Sequence, residues 1–544
     1  MSSAPRIHPA PAPRRGLLPL LAALAALAGL ALPAARPAQA ITTEALLDTV
    51  QHAGVLYFWN EANPANGLVK DRDTFGSVSS IASTGFGLSA LCIGVDRGWL
   101  DRAAVRTRGL TTLNTFWTGP QGSAATGTIG YKGLFYHWLD MNTARRTWDS
   151  ELSTIDTALL MAGIIDARHY FTGNDAEEVQ IRALADSIYL RCDWNFMRNL
   201  TSAIYMGWKP GTGFSGFPQW IGYNEAMILY IMALGSPTHP IPSLWGTWLG
   251  GYSWQTWYGY SYVNFPPLFG HQYSHCWIDF RAIADAYMRN RGITYFENSR
   301  RATLAQREYC IDNPNGWDAY SDSLWGLTAS DDPTGYAAHG APPAWSENGT
   351  ITPTAGISSL PFAPEVVLPL MHNLWDNWRA TLWGPYGFTD AFNPTMSWVG
   401  QDVLGIDQGP IVIMIENYRS ESTWRRFSQN EWIAAGLTRA GFQALATDVA
   451  DPAAAAGPAI ALRAVEPTPF SDRTVVRFRL AAPGRVHAEL IDVRGRVVAH
   501  LGDEERAAGE QSLPVDGARL APGLYHVRLT SGDASTVARL VKVR

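Results

Sequence analysis

Apolar and aromatic residues recur at helical spacing from Glu44 to about Arg439, and this pattern predicts about twelve α-helices. The predicted segments are Thr43–Asn60, Ser80–Arg97, Asp101–Phe116, Ser153–Tyr170, Asp175–Asn195, Asn224–Ala233, His275–Asn290, Tyr295–Ile311, Gly316–Leu327, Pro361–Leu382, Gly409–Tyr418 and Glu421–Ala440. Short connections alternate with long loops rich in Gly, Trp and Pro, which is typical of stacked helical hairpins with one elaborated end. An even number of helices without strand periodicity favours hairpins that close on themselves as an α/α barrel.

The pattern changes beyond residue 458, where apolar and polar residues alternate in short runs. Strands are predicted at Thr474–Leu480, Val486–Val493, Val497–Leu501, Gly523–Leu529 and Thr536–Val543. Several short strands at regular spacing indicate a small all-β sandwich. Residues 444–458 are rich in Ala, Pro and Gly and are typical of a linker. We therefore expect a helical domain over 41–443 and a β-sandwich over 459–544.

The N-terminal residues have the pattern of a secretory signal peptide over 1–40. Arg14 and Arg15 precede the apolar run Leu17–Leu32, and residues 38–40 supply a small-x-small cleavage pattern before Ile41. A transmembrane anchor is the alternative, but the run is short for a membrane span and prolines interrupt its exit. We expect an exported protein that is periplasmic, cell-surface or extracellular.

Length and charge exclude some classes of function. With 544 residues, the chain exceeds the usual size of a single hydrophobic core, which agrees with two domains. The formal net charge of −6 offers no electrostatic footprint for nucleic acid or an anionic membrane. A neutral or mildly negative substrate fits better, and we expect a monomer.

The cysteines indicate structural roles and no metal site. No CxxC pair occurs, and the cysteine beside His271 and His275 lacks the paired spacing of a zinc site. Zero, one or two disulfides are compatible with an oxidising compartment. No metal or cofactor is expected. The four cysteines are Cys92, Cys192, Cys276 and Cys310.

The loops offer candidates for the two carboxyl groups that hydrolysis of a glycosidic bond usually requires. Glu151 and Asp156 come first, in the segment WDSELSTID. Ser153 is a predicted N-cap with Asp156 at the third helical position, so a capping-box role for Asp156 stays open. We expect Glu151 to face substrate.

Glu225 is the candidate general acid. It follows the long loop GWKPGTGFSGFPQWI and opens the apolar segment AMILYIMAL. A solvated glutamate at a helix N-terminus is ordinary, because it interacts favourably with the helix dipole. Trp220 and Tyr223 flank this glutamate, however, and an apolar pocket would raise its pKa as a general acid requires.

The stretch from Tyr386 to Arg419 places carboxylates among aromatics, glycines and prolines. In GIDQGPIVIMIENY a Gly/Pro-punctuated turn leads into an apolar run, so we expect Asp407 and Gln408 on the loop before a buried helix. Asp407 is the preferred base, because water and substrate can approach such a loop.

Other acids of this stretch have expected roles in binding or structure. Asp390 and Asp402 would cap turns or bind sugar hydroxyls. Glu416 lies inside an apolar helix and is expected to be a buried partner of Arg419 or another cation.

The chain has 22 tryptophans, many of them in predicted loops. Aromatic faces stack on the apolar faces of sugar rings, and the indole N–H remains available for a hydroxyl. We expect most tryptophans in the core and a minority at subsites, with Trp220, Tyr223 and Trp398 as candidates. His137 is a candidate donor to sugar hydroxyls, although a single histidine is more often structural.

Three long blocks resemble the bacterial glycoamylase-like domain, which includes the endo-β-1,2-glucanases of glycoside hydrolase family 144. The blocks are FYHWLDMNTARRTWDSELSTIDTALLMAG, GYNEAMILYIMALGSPTHPI and YGFTDAFNPTMSWVGQDVLGIDQGPIVIMIENYR. The resemblance covers about Ile41 to Gln443. It implies an (α/α)6 six-hairpin barrel that cleaves β-1,2-glucan to sophoro-oligosaccharides with inversion. It also implies that Glu225 of the YNE block is the acid and Asp407 of the GIDQGP block a base.

The C-terminal tail resembles the immunoglobulin-like module of bacterial secreted proteins, in its flagellar-hook-capping-like and type-IX-sorting versions. The matching features are EPTPFSDRTVVRFRL, the DVRGRVV turn and LAPGLYHVRL. Sorting, attachment and spacing remain open as roles, and contact with a cell surface or secretion machinery is expected through this module.

These features together predict an exported, inverting endo-β-1,2-glucanase. Glu225 would protonate the leaving oxygen, Asp407 would activate water directly or through a hydroxyl relay, and Glu151, Asp156 and Asp390 would bind sugar. The alternatives are a transglycosylase, a hydrolase of another β-glucan, and a glycan-binding protein without catalysis.

Overall fold

The computed structural model describes residues 41–445 and 460–543, apart from a few positions in the second range. The predicted signal peptide and most of the predicted linker lie outside the described residues. The described chain forms two compact units. One comprises residues 41–281 with Tyr295–Ala440, and the other comprises Ala282–Thr294 with the described residues from Gly441 onward.

Sixteen α-helices occur in the described part of the chain. They are α1 (Thr43–Asn60), α2 (Ile81–Asp96), α3 (Arg102–Thr118), α4 (Thr154–Tyr170), α5 (Ala176–Arg191), α6 (Met227–Gly235), α7 (Trp245–Leu249), α8 (Phe269–Trp277), α9 (Ala286–Arg291), α10 (Tyr295–Asp312), α11 (Pro353–Ile357), α12 (Pro364–Asn373), α13 (Arg379–Leu382), α14 (Gly405–Arg419), α15 (Ser422–Phe427) and α16 (Glu431–Arg439).

Two predicted helix starts are confirmed by their N-caps. The carboxylate of Asp101 accepts a hydrogen bond from the Ala104 N–H at 2.8 Å and closes the first turn of α3. Asp175 caps α5 in the same way through the Glu178 N–H at 3.1 Å. Both carboxylates satisfy N–H groups that have no partner inside their helix.

The predicted helix Gly316–Leu327 is wrong, because this stretch is a loop. The side chain of Asn313 accepts a hydrogen bond from the Trp317 N–H at 2.8 Å and closes a turn there. The backbone of Ala319 has a φ of 71°, in the left-handed region that a helix does not tolerate. The local turn therefore replaces the helical hydrogen bonds.

Several other predicted helices have different bounds, and two of them show the reason. In place of His275–Asn290, α8 starts earlier and ends at Trp277, and α9 follows after an extended stretch. In place of Glu421–Ala440, α15 and α16 are separate, because the Asn430 side chain caps a new start at α16. It accepts hydrogen bonds from the N–H groups of Trp432 and Ile433.

Six helices of the first unit are buried along most of their length, namely α2, α4, α6, α8, α11 and α14. Their sequences carry few charges on any side, which is typical of helices in the middle of a large domain. Within the described ranges, no helix has the length and apolarity that crossing a membrane requires.

The N-terminal ends of several buried helices meet at one end of this unit. The Gly405 N–H at the start of α14 donates to Asp71 O at 2.8 Å, and the Ile81 N–H at the start of α2 donates to His137 O. The indole N–H of Trp220, before α6, donates to Thr154 Oγ1 at the start of α4, at 2.9 Å. This end of the unit therefore collects the loops that carry the candidate acids.

Two glycines set the spacing between α2 and α4. A Cβ on Gly163 would stand 1.9 Å from Gly85 O, and a Cβ on Gly85 would stand 2.3 Å from Leu159 O. Only glycine permits so close an approach of two backbones. The two buried helices therefore touch backbone to backbone.

Short strands, which the sequence pattern did not predict, occur mainly in the loops between helices. They are β1 (Ser79–Ser80), β2 (Gly130–Tyr131), β3 (Leu134–Tyr136), β4 (Trp138–Leu139), β5 (Leu152–Ser153), β6 (Gly207–Trp208), β7 (Trp254–Trp257), β8 (Tyr260–Val263), β9 (Ile283–Ala284), β10 (Ala329–Asp332), β11 (Gly335–Ala338), β12 (Trp383–Gly384), β13 (Gly387–Phe388), β14 (Phe392–Asn393), β15 (Trp398–Val399) and β16 (Gln443–Ala444). In the order β2-β3-β5-β6, four of them form one sheet, which leads directly into α4.

The C-terminal part of the chain is β-rich, as predicted. Its strands are β17 (Ile460–Glu466), β18 (Arg473–Leu480), β19 (Gly484–Asp492), β20 (Val497–Arg506), β21 (Gly509–Asp516), β22 (Gly523–Ser531) and β23 (Ala534–Lys542). They form a three-stranded sheet, β17-β18-β21, and a four-stranded sheet, β20-β19-β22-β23. Both sheets contribute to one apolar core, with Phe478 and Val515 from the first and Leu490 and Leu529 from the second.

The four cysteines are buried and free. Their burial agrees with the predicted core role, and none of them forms a disulfide in this structure.

Candidate active site

The candidate acids stand at the N-terminal ends of three buried helices. Asp156 is in the first turn of α4, Glu225 lies just before α6, and Asp407 is in the first turn of α14. Because α14 begins at Gly405, earlier than predicted, Asp407 and Gln408 lie in the helix and not on the loop before it. A helix N-terminus carries partial positive charge, which favours the ionised form of a nearby carboxyl group.

Electrostatic contacts connect these acids within one region. The negative charge of Asp156 contributes to a raised pKa of Glu225. Burial raises the pKa of Tyr273 in α8, and the charges of Asp407 and Glu225 raise it further. The Tyr273 phenol therefore lies close to both candidate catalytic acids.

His137 bridges Glu151 and Asp156. Its Nδ1 is 2.8 Å from Glu151 Oε1, and its Nε2 is 3.6 Å from Asp156 Oδ1. Burial lowers the pKa of His137, but the two carboxylates outweigh burial and raise it to about 8. The imidazolium in turn holds the pKa of Glu151 below its ordinary value, although burial opposes this. The three side chains thus form a charged cluster on the Glu225 side of the site.

Asp156 also takes part in the N-terminal cap of α4. Ser153 caps α4 by accepting a hydrogen bond from the Asp156 N–H at 3.2 Å, and its hydroxyl donates to the Asp156 carboxylate. The Asp156 carboxylate therefore contacts the hydroxyl of the cap residue, whereas a capping box uses the backbone N–H of that residue, and Asp156 also lies near Glu225 and His137.

The His137, Glu151 and Asp156 side chains also have the donor atoms of a metal site, all within 4.8 Å of one another. A metal ligand must be an unprotonated imidazole. The pKa of His137, raised to about 8, favours a proton on the ring at neutral pH. The cluster fits an ion-paired histidine better than a metal ion.

Glu225 has the environment of a general acid. Burial is the main cause that raises its pKa, to about 7, and the charge of Asp156 adds to this. Its backbone carbonyl accepts a hydrogen bond from the Ser274 hydroxyl at 3.1 Å, and Ser274 Oγ in turn accepts one from the Ile228 N–H at 3.1 Å. Ser274 of α8 therefore fixes the backbone that presents Glu225.

Asp390 and Asp407 form a buried pair whose carboxyl groups are hydrogen-bonded to each other. Burial raises the pKa of Asp390 to about 7, and burial together with the charge of Asp390 raises the pKa of Asp407 well above its ordinary value. Among the described residues, no other donor reaches Asp390 Oδ1 or Asp407 Oδ2. Burial of two carboxyl groups so close together disfavours the state in which both are ionised.

Further acids surround this pair, and the sequence interpretation missed most of them. The backbone N–H of Asp331 donates to Asp390 Oδ2 at 2.7 Å. Arg72 binds Asp331 and Asp402 at 3.0 Å each and contacts Asp71 at 3.4 Å. Asp402 is therefore an ion-pair partner of Arg72. The guanidinium compensates part of the negative charge around the pair.

Tyr336 contributes a phenol to the same region. Burial of its hydroxyl and the charges of Asp407 and Asp390 raise its pKa, while 55% of the residue surface remains exposed. Tyr336 lies on the hairpin of β10 and β11, close enough to the acid pair for the charges of Asp407 and Asp390 to raise its pKa. Its place on a short hairpin left no pattern in the sequence that could have identified it.

Trp220 and Tyr223, which the sequence analysis placed at subsites, are both buried. The Trp220 indole donates to Thr154. The Tyr223 ring is stacked against that of Tyr295 and its hydroxyl is 3.5 Å from Ser299 Oγ. These contacts indicate that both rings are part of the packed interior near Glu225 and are not exposed sugar-binding surfaces.

The contacts described for Gln408 and Trp398 are with other parts of the helical unit and not with the carboxyl groups of Asp390 and Asp407. The Gln408 side-chain oxygen lies beside Gly54 of α1, where a Cβ would stand 3.0 Å from it. Trp398 is half-buried in β15, which pairs with β14.

Two tryptophans beyond the predicted set extend the site from His137. The Trp138 ring is stacked on the imidazole, with ring centroids 3.8 Å apart. Trp148 contacts Trp138 edge to face at 5.9 Å and is 68% exposed. Together they make an aromatic surface that leads from the charged cluster toward solvent.

Other candidates have structural roles. Glu416 is buried and binds Arg97 at 2.7 Å and Gln51 at 3.0 Å, so the predicted buried cation partner is Arg97 and not Arg419. Burial lowers the pKa of both His271 and His275 to about 3, so both rings are neutral inside the core.

Comparison with known families gives two matches along the chain. Residues 218–431 match the Glycoamylase family, described as "Putative glucoamylase". Residues 464–543 match the family described as "Secretion system C-terminal sorting domain".

Individual relatives match about three quarters of the chain. A crystal structure described as a "putative glucoamylase" from Bacteroides uniformis is 34% identical with a TM-score of 0.69, covering 74% of this chain and 98% of that one. The endo-β-1,2-glucanase from Chitinophaga pinensis, solved with sophorotriose and glucose, is 30% identical with a TM-score of 0.69, covering 74% and 99%. The exo β-1,2-glucooligosaccharide sophorohydrolase of Parabacteroides distasonis is 29% identical over 433 residues, which are 73% of this chain. The chain spans 58% of the length of that relative.

Proposed function

Because this chain belongs to the glycoamylase-like family and carries a sorting domain that marks it for export, we propose that it is an exported glycoside hydrolase that cleaves β-1,2-glucan. We propose endo cleavage with inversion, giving short sophoro-oligosaccharides. The observation that carries this function is one region in which Glu225, with a pKa raised to about 7, accompanies the carboxyl pair of Asp390 and Asp407. The named activity of the Chitinophaga pinensis relative supports the choice of substrate.

Glu225 is the proposed general acid. At neutral pH a carboxyl group with a pKa of about 7 is protonated in a large fraction of molecules, whereas an ordinary glutamate is almost wholly ionised. Its proton passes to the glycosidic oxygen as the bond from that oxygen to the anomeric carbon breaks. Asp156 keeps the acid protonated by its nearby negative charge.

Asp407, paired with Asp390, is the proposed base. The single negative charge of the pair takes a proton from water directly or through a hydroxyl relay, and the water oxygen attacks the anomeric carbon from the opposite face. Direct attack requires carboxyl groups of acid and base roughly 6.5–9.5 Å apart, the separation that admits a water molecule in inverting enzymes. The Tyr336 phenol stands close enough to the pair to position that water or a sugar hydroxyl.

The remaining residues are proposed to bind sugar or shape the cleft. Glu151 and His137 offer an acceptor and a charged donor to sugar hydroxyls, and Trp398 a further ring. The exposed Trp148 ring supplies the kind of flat surface on which a glucosyl unit stacks. Trp220 and Tyr223 are proposed to contribute through packing near Glu225, and Gln408 through packing against α1.

We also propose how the helices and strands are arranged in each of the two units. The six buried helices are proposed to be the inner ring of an (α/α)6 barrel spanning 41–443, which acts as a monomer without a cofactor. Residues 444–458 form the proposed linker, and 459–544 the proposed immunoglobulin-like sandwich. The two sheets that share one apolar core support the latter.

A second candidate is exo cleavage that releases sophorose, which the named activity of the Parabacteroides distasonis relative favours. Purified mature protein is incubated with linear β-1,2-glucan, and with β-1,3- and β-1,4-glucans as controls. Early products of many lengths, with inverted configuration by anomeric NMR, support endo cleavage. Sophorose alone from the start supports exo cleavage, and no product from any glucan contradicts both.

A further inference from the structure

A cluster of His487, Glu489 and His500 lies on the C-terminal unit, whereas the proposed catalytic residues belong to the helical unit. On β19, Ala488 and Leu490 belong to the apolar core. Neighbouring residues of a strand face opposite sides of the sheet, so His487 and Glu489 point to the other face. His500 on β20 is the direct cross-strand partner of Glu489. The three side chains therefore meet on the outer face of the four-stranded sheet.

The distances within this cluster fit a tetrahedral metal ion. His487 Nε2 is 3.3 Å from Glu489 Oε1, and His500 Nδ1 is 3.6 Å from the same oxygen. Zinc bonds to nitrogen and oxygen are about 2.0–2.2 Å, so tetrahedral ligand atoms stand about 3.3–3.6 Å from one another. One donor atom from each residue lies within 4.8 Å of the other two.

Arg528 orients the carboxylate of this cluster. It is the cross-strand partner of Glu489 from β22, and its Nε donates to Glu489 Oε2 at 3.1 Å. The other oxygen, Oε1, is left facing both histidines. A carboxylate that is held by a second residue while it offers one oxygen to a cation is a common arrangement around metal ligands.

The histidines are accessible to an ion. The side chains of His487 and His500 are 43% and 70% exposed, whereas Glu489 is 11% exposed. An ion from solvent reaches the cluster without any opening of the core. The nitrogen that faces Glu489 Oε1 is Nε2 in His487 and Nδ1 in His500, and either ring nitrogen of a histidine can bind a metal ion.

We propose that His487, Glu489 and His500 form a Zn²⁺ site on the sorting domain, with water completing the coordination. Two imidazoles and one carboxylate are a ligand set that zinc accepts. The ion joins β19 to β20 through side chains as well as through the backbone ladder, and so stabilises the folded C-terminal unit by binding only to its native arrangement.

The test is calorimetric titration of the full, tag-free chain with Zn²⁺. One ion per chain is expected, and the His487→Gln and His500→Gln variants should bind it at least about tenfold more weakly, since loss of a ligand costs at least as much as loss of a residue that supports one. His526→Gln is the matched control, because His526 lies on the neighbouring strand β22 outside the cluster. Its affinity should equal that of the wild type.

His137→Gln separates this site from the charged cluster near Glu225, and it should leave zinc binding unchanged. Absence of zinc binding overturns the proposal. Wild-type affinity for zinc in both His487→Gln and His500→Gln overturns it as well. So does a loss of zinc binding that occurs only in His137→Gln. A zinc-dependent rise in the unfolding temperature of the C-terminal unit, absent in His500→Gln, is the second expected result.

Discussion

The carboxyl groups of Asp390 and Asp407 are both buried, and burial together with the charge of Asp390 raises the pKa of Asp407 well above its ordinary value. Asp390 reaches this position from the loop between β13 and β14, and Asp407 from the first turn of α14. Each carboxyl thereby controls the charge of the other, and the pair should titrate as a unit.

Replacing Asp390 by Asn should lower the pKa of Asp407. The charge of Asp390 is one of the causes that raise this pKa, and an amide in its place carries no charge. A base with a lower pKa is ionised at lower pH, so the acidic limb of the kcat/KM profile should move to lower pH. Asp149→Asn is the control, because Asp149 is an exposed acid paired with Arg146. An unmoved or upward-shifted acidic limb in Asp390→Asn would contradict the proposed pair.

Replacing Glu225 by Gln should abolish most hydrolysis and leave glucan binding intact. Loss of a general acid typically costs about 10²–10⁴-fold in rate, while the amide keeps the shape of the side chain. Rates on β-1,2-glucan and calorimetric affinities measure the two effects. The matched control is Glu177→Gln on the outer helix α5, which should keep full activity. A Glu225→Gln variant with wild-type rates would remove this residue from the mechanism.

The basic limb of the activity profile should reflect Glu225. The acid is active when protonated, so kcat/KM should fall as pH rises through about 7, where burial and Asp156 place its pKa. Asp156→Asn removes a charge that raises this pKa, and the basic limb should therefore move to lower pH. Asp149→Asn, an exposed acid in the preceding loop, should not move it. A basic limb at the same pH in Asp156→Asn and wild type would contradict the influence of the Asp156 charge on the pKa of Glu225.

Replacing Trp148 by Ala should weaken the use of long glucans. The exposed ring extends the aromatic surface of Trp138 and touches none of the proposed catalytic acids, so KM should rise with little change in kcat. Loss of one stacking contact is expected to cost about 0.5–1.5 kcal/mol, or roughly 2- to 12-fold in KM. Trp117→Ala on α3 is the control. A fall in kcat without a change in KM would argue against a stacking role.

Replacing Arg97 by Ala should destabilise the helical unit. Glu416 is 2% exposed and depends on Arg97, Gln51 and Ser420 for its charge, and its pKa is held below the ordinary value although burial opposes this. An unpaired buried carboxylate costs about 3–5 kcal/mol, and the exposed fraction of Arg97 places the loss at the lower end. Urea unfolding near pH 7 measures the loss.

Two controls test the cause of that loss. Because the folded-state pKa of Glu416 is lowered, its contribution to stability is present above the unfolded pKa and disappears as pH falls. The difference between Arg97→Ala and wild type should therefore shrink in acid. Arg106→Ala, whose partner Glu177 is well exposed, should cost at most about 1 kcal/mol.

The sequence predicted the helices whose ends carry a local signal. The caps at Asp101 and Asp175 are short-range features that two or three residues specify. The helix predicted at Gly316 failed because a side chain of the preceding turn competes for the backbone. Strand β21 was missed because Pro514 and several polar residues break its alternation.

The sequence predicted only those residues of the candidate site that stand in a recognisable local block. Glu225 and Asp407 lie in recognisable blocks, and the structure places both at one end of the helical unit. Asp331, Arg72 and Tyr336 are distant from these blocks in sequence, and only folding brings their charges or hydroxyls to the acid pair. The helical and strand periodicity of a sequence gives no information about a residue whose role depends on a contact with a residue hundreds of positions away.

The contact between Gly85 and Gly163 restricts how this protein can diversify. No side chain fits at either position, so α2 and α4 cannot move apart gradually through single substitutions, and α4 carries Asp156 of the charged cluster. Loops at the same end face no such constraint and tolerate insertions. Variants with new glucan preferences should therefore arise by exchange of loops on an unchanged helical frame.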